Sequence, residues 1–117
     1  MKGKIGYLFT FCLLLAFLNA CKDKEVRPLG SVPEKDFVRM LAEMHIADAM
    51  SEYHNYQGDS LNAQHISNLK IICSNHGYSI DAFQQTYAYY TKNPYEFDRL
   101  YLQVIEELTK QQLQIKP

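Results

Sequence analysis

From Pro33 onward, apolar residues return every three or four positions in four successive stretches, and turn or cap chemistry separates each stretch from the next. That period belongs to the α-helix, where side chains three and four apart share a face, and no convincing alternating strand interrupts it. The first stretch opens at Pro33, whose fixed φ suits a first turn, and Glu34 and Asp36 favour the positive end of the helix dipole. Phe37, Leu41 and Met44, flanked by Val38 and Met40, form its stripe, and Ala47, Ala49, Met50 and Tyr53 extend it. The spacing predicts a helix from about Pro33 to His54. Tyr56 to Ser60 reads as a loop broken at Gly58. A second helix starts near Ser60 or Leu61, carries Ile66, Leu69, Ile72 and Cys73, and reaches Gly77, which suits a left-handed end. Ser79 is a good N-cap with Asp81 in the following turn, and Phe83, Tyr87 and Tyr90 share one face of a third helix. Asn93, Pro94 and Glu96 then form a capping-box-like start for a fourth. Its stripe is Phe97, Leu100, Tyr101, Val104, Ile105 and Leu108, with an end that frays from Gln111 to Pro117. The expected fold is all-α, a small bundle of about four amphipathic helices.

Ahead of the bundle the chain changes character. Lys2 and Lys4 precede an apolar run from Ile5 to Leu18, the layout of a secretory signal peptide. The run is shorter than the ~20 residues a membrane-spanning helix needs. Leu18-Asn19-Ala20-Cys21 follows, and it resembles the lipobox of bacterial lipoproteins, with Asn19 an uncommon residue in that pattern. The resemblance implies cleavage after Ala20 and acylation of Cys21, which becomes the first residue of the mature protein. The expected organisation is a signal peptide over 1–20, a lipid-anchored flexible tether over 21–31 and a helical domain over 32–117. Lys22 to Ser31 is charged, carries Pro28 and Gly30 and shows no apolar period, as a tether should. Its start, Lys22-Asp23-Lys24-Glu25, partly resembles the acidic tags of outer-surface lipoproteins in the Bacteroidota; a plain solvated spacer is the other reading.

Charge and cysteine content narrow the class. The formal net charge of −1 becomes more negative once Lys2 and Lys4 leave, which argues against a nucleic-acid partner. Of the three cysteines, Cys12 leaves with the signal and the Cys21 sulfur enters a thioether, so Cys73 is the one remaining thiol. An internal disulfide is then impossible and the apolar core must hold the domain. Cys73 lies in an apolar stripe and reads as a small buried residue, an intermolecular bridge being the alternative.

The polar constellations are sparse. His45 and Asp48 lie three apart on the first helix with Glu52 one turn on, a pattern that either orients a base or ligand or simply fixes the helix against a neighbour. Cys73-x-x-His76 is half of a zinc site at most, with nothing in sequence to supply the other half. No His follows a Glu by three residues, so the paired-helix carboxylate metal site is excluded. Catalytic, metal and cofactor residues are expected to be none. Tyr is the abundant aromatic: Tyr87, Tyr90 and Tyr101 suit the edge of the core, whereas Tyr89 lies on another face and with Tyr95 offers a contact patch near Asn93-Pro94.

Pro33, Glu43-Met44-His45-Ile46-Ala47-Asp48-Ala49, His76-Gly77-Tyr78-Ser79 and Tyr89-Tyr90-Thr91-Lys92-Asn93-Pro94, with Tyr101 beyond, together resemble one family. It is the bacterial domain of unknown function catalogued as forty-two ninety-six, common in the Bacteroidota, and the similarity runs from about Val32 to Leu108. The resemblance implies a small helical envelope lipoprotein and brings no activity, cofactor or catalytic residue. The expected function is a non-enzymatic protein-interaction module, anchored to the membrane through acylated Cys21 in the cell envelope, at the outer membrane with its face left open. An envelope protein is the expected partner, with His45, Asp48, Tyr89 and Tyr95 as the contact surface. The alternative is a small-ligand-binding lipoprotein with a Tyr-lined groove between the third and fourth helices, although so small a domain leaves little room for one. A hydrolase ranks last, since no nucleophile-base pair, phosphate loop or metal-ligand set is present.

Overall fold

The computed structural model describes residues 2–18, 26–54 and 57–115. Among them lie five helices and no strand: α1 (Lys2–Leu18), α2 (Glu34–Tyr53), α3 (Asp59–His76), α4 (Ile80–Thr91) and α5 (Pro94–Ile115). The all-α expectation is met, and α2 to α5 are the four amphipathic helices. Cys21, expected to be acylated, and Tyr56 lie outside the described residues. Residues Gly3 to Leu13 of α1 are all exposed, Phe9 and Phe11 included, so this part of the apolar helix adds nothing to the core. No described helix is long and apolar enough to cross a membrane.

The core is built around α2. Phe37, Val38, Met40, Leu41, Ala42 and Met44 are buried on it, and they meet Leu69, Ile72 and Cys73 of α3, Phe83 and Tyr90 of α4, and Leu100 and Val104 of α5. Phe37 is completely enclosed, with the Phe83 ring at 5.2 Å and the Tyr90 ring stacked at 5.6 Å. Removing such a ring costs about 3–5 kcal/mol, because the cavity adds to the lost transfer term.

Local chemistry sets the helix ends. Pro33 sits in extended backbone ahead of α2, and its carbonyl accepts the first helical hydrogen bond from Phe37 N–H at 2.9 Å. At the end of α3, Gly77 takes φ 76°, which lets Tyr78 N–H reach back to the Cys73 carbonyl (2.9 Å) and Gly77 N–H to that of Ser74 (3.2 Å). This is the Schellman closure, and it needs a residue without a Cβ penalty. Two residues on, the Ser79 hydroxyl accepts from Ala82 N–H at 3.0 Å and starts α4. Asn93 donates from Nδ2 to the Tyr89 carbonyl at 2.7 Å, closing α4 just before Pro94 opens α5.

Several expectations change in three dimensions. Met50 and Tyr53, read as part of the α2 stripe, are exposed, Tyr53 at 84%. At that level α3 lies against Asp48 and Ser51 instead, and Ser51 is buried with its hydroxyl on the Ala47 carbonyl and Asn68 Nδ2 at 3.4 Å. Ile66 and Ile105 are exposed too, since each lies on the flank of its stripe rather than its centre. The α5 helix continues past Gln111 to Ile115 rather than fraying there.

Residues 26–31, within the stretch expected to be a flexible tether, hold on to the bundle as a strap. Val32 is fully buried, and its N–H donates to Thr86 Oγ1 at 2.8 Å. Ser31 N–H closes a turn on the Pro28 carbonyl at 3.2 Å, with Gly30 at φ 81°. Arg27 reaches across to Tyr90 and Glu34.

Candidate functional site

Two polar assemblies grow from this frame. The first joins the strap to the start of α2 and to α5. The Glu34 carboxylate accepts from Arg99 at 2.8 and 2.7 Å, from Gln103 at 2.9 Å, from the Tyr90 hydroxyl at 3.0 Å and from Arg27 at 3.2 Å. Arg99 holds it well below the ordinary carboxylate range, at about 2, against burial that pushes the other way, with Gln103 and Tyr90 helping. Burial, then the hydrogen bond to Glu34, pushes the Tyr90 hydroxyl up to about 12. Arg27 donates to that same hydroxyl, and its guanidinium lies 5.4 Å from the Tyr90 ring centre and 5.9 Å from that of Tyr89. Glu96 turns to Arg99 at 2.8 Å. Such a network joins three segments distant in sequence, which is a structural role.

The second assembly is a groove of about 570 Å³ bounded by α2, α3, α4 and one residue of α5. Leu41, Met44, Leu69 and Phe83 give it an apolar lining; Tyr87 and Tyr101 add aromatic surface; His45, Asp48, His65, Gln84 and Thr91 supply polar groups. The rings run in series. Phe83 stacks on Tyr87 (6.5 Å), Tyr87 meets Phe97 edge-on (6.4 Å), Phe97 packs on Tyr101 (4.6 Å), and Tyr101 meets the His45 imidazole (5.7 Å). Each ring therefore fixes the next, and the groove is largely preformed. Burial pushes the Tyr101 hydroxyl above its ordinary value.

The imidazole paired with Asp48 is that of His65 on α3. Both carboxylate oxygens lie 3.0 Å from His65 Nδ1, and since a carboxylate only accepts, Nδ1 is the donor of the pair. His45, the neighbour expected from spacing on one helix, is on Tyr101 instead. The Asp48–His65 pair has the form of an oriented base, yet the Thr91 hydroxyl of the same groove is turned onto the Ala88 carbonyl at 2.9 Å. Among the described residues no three His, Cys, Asp or Glu side chains converge.

The four expected contact residues fall in different places. His45 and Asp48 both line the groove. Tyr89 lies on the strap side of α4, part-buried with its ring edge-on to Tyr90 at 5.2 Å and Arg27 above it. Tyr95 is exposed at the start of α5 and does not line the groove. Cys73 is buried, which pushes its thiol up, and His76 is taken by Glu43 at 2.9 Å, so Cys73-x-x-His76 is divided between core and surface. Sequence spacing gave Glu34 a place at the start of a helix and nothing more, and it paired neither His65 nor Arg27 with its partner. Asp48 lies 17 residues from His65, Tyr90 63 from Arg27, and Arg99 and Gln103 65 and 69 from Glu34, and no local spacing signals such pairs.

The profile of the family described as Domain of unknown function (DUF4296) matches residues 28–114, and the chain belongs to that family. The match begins inside the strap and covers α2 to α5, the segments that share the core and the groove. No curated protein and no solved structure matches the chain significantly.

Proposed function

We propose that the protein is a lipid-anchored cell-envelope lipoprotein of Bacteroidota type, held at the outer membrane through acylated Cys21, whose helical domain is a non-enzymatic protein-interaction module. The observation that carries the binding role is the preformed groove: apolar in its lining, aromatic along one side, and edged by the His65–Asp48 pair. A partner side chain of apolar or aromatic type fills such a cleft, and the polar edge fixes its orientation. Support for the anchor comes from the lipobox-like Leu18-Asn19-Ala20-Cys21 and from the apolar helix ahead of it, exposed from Gly3 to Leu13.

The groove also favours a second reading, a small-ligand-binding lipoprotein. Its volume of about 570 Å³ falls within the usual range for ligand sites, against the expectation that so small a domain leaves little room for one. The groove differs from the expected one in position, since α2 and α3 supply half its lining.

The test is a pull-down from detergent-solubilised envelopes of the source cells, using a C-terminally tagged chain with Cys21 intact and Cys21→Ser as the mislocalised control. Incorporation of labelled palmitate by the first form only, with one envelope protein recovered at stoichiometry, is the expected result. Recovery of the chain alone, together with a thermal shift on exposure to small apolar amines, alcohols or aromatics, favours the ligand reading.

A further inference from the structure

We propose that the strap seats the domain on the lipid surface by the corner between α4 and α5, with Val26, Leu29 and Tyr95 at the level of the lipid headgroups. The inference rests on the anchoring proposed above and adds which face meets the bilayer. Val32 is bonded to Thr86 and Arg27 to Tyr90, so the chain runs along α4 toward its C-terminal end as it is followed back toward Cys21. Val26 arrives beside Tyr89 and Lys92, and Lys92 is the cap residue of α4 next to the Asn93-Pro94 corner. Only residues 22–25 separate Val26 from Cys21, a path of at most about 18 Å even if fully extended. With Cys21 acylated, the corner stays within about 18 Å of the lipid surface.

Its surface chemistry suits that place. Val26 is 86% exposed, Leu29 100% and Tyr95 80%, three large apolar or aromatic side chains left in water on a small domain. Tyr is favoured where one end of a side chain meets lipid and the other water, and the exposed Lys92 adds a cation for anionic headgroups. Arg27 is what makes the arrangement rigid, since its contacts with Tyr90 and Glu34 stop the strap from swinging free.

The chain contains no Trp, so a single introduced Trp reports on one position. The acylated full chain is reconstituted into vesicles of phosphatidylethanolamine and phosphatidylglycerol, carrying either Tyr95→Trp or, at the exposed end of α2, Tyr53→Trp. The expected result is a blue-shifted emission and quenching by lipids brominated near the headgroup for Tyr95→Trp, with neither for Tyr53→Trp. Adding Arg27→Ala to the first variant should reduce the quenching while the chain still floats with the vesicles. A chain that floats but shows Tyr95→Trp no more quenched than Tyr53→Trp overturns the seating alone and leaves the corner to a protein partner. A chain that fails to float overturns the anchor, and the seating with it.

Discussion

Glu34 gathers hydrogen bonds on its carboxylate from Arg27, Tyr90, Arg99 and Gln103, and its charge state contributes to stability. Its carboxyl sits at about 2 in the folded chain against 4.5 ordinarily, so the native state favours the ionised form. The stability this gives is present above the unfolded value and is lost as pH falls toward 2, a contribution of about 2 kcal/mol once solvent screening is allowed for. Glu34→Gln should therefore lose about that much at pH 7 and show a flatter decline than the parent between pH 5 and 2, measured by urea unfolding across that range. Thr86 is the second residue with an arguable outcome. It is fully buried, accepts from Val32 N–H and donates to the Ala82 carbonyl at 2.7 Å. Thr86→Val keeps the shape but orphans the Val32 donor, a loss of about 1–3 kcal/mol. An unchanged urea midpoint would mean that the strap does not contribute to the folded state.

At the scale of elements, the end of α3 makes the clearest claim. Gly77 at φ 76° is followed directly by Tyr78, whose hydroxyl donates to Asp36 at 2.5 Å, so one glycine positions both the α3–α4 turn and a tie to α2. Space is open around it, so Gly77→Ala should cost about 1 kcal/mol through backbone strain alone, read as a lower melting temperature with the fold retained. This turn, the Ser79 cap and the Pro94 start were legible in the sequence because each is written in adjacent residues. The stripes were legible only to their centres: Phe37, Leu41, Leu69, Leu100 and Val104 are buried as expected, while Met50, Ile66 and Ile105 are not. A helical period gives the direction of a side chain but not whether a neighbouring helix reaches that far. The groove was less legible still. His45 and Asp48 both line it, but their nearness on α2 suggested a pair that the fold splits between Tyr101 and His65. Tyr87, expected at the core edge, is 40% exposed where it lines the groove.

For the whole molecule, the strap and the groove lie on adjacent faces of α4: Gln85, Tyr89 and Lys92 face the strap side, and Gln84, Tyr87 and Thr91 the groove. The strap and the groove thus share one short helix of 12 residues, so in the proposed reading the orientation of the groove follows the anchor. The central claim is that the groove is what the domain uses to bind. Gln84 is exposed on its edge, so Gln84→Trp fills the cleft without touching the core, whereas Lys70→Trp adds the same ring at another exposed site. Both should leave the melting temperature within a few degrees of the parent, as surface changes do. The deciding measurement is quantitative recovery of the envelope partner on the Cys21-intact chain carrying each substitution. The account predicts loss of the partner with Gln84→Trp and full recovery with Lys70→Trp; equal recovery on both would contradict it.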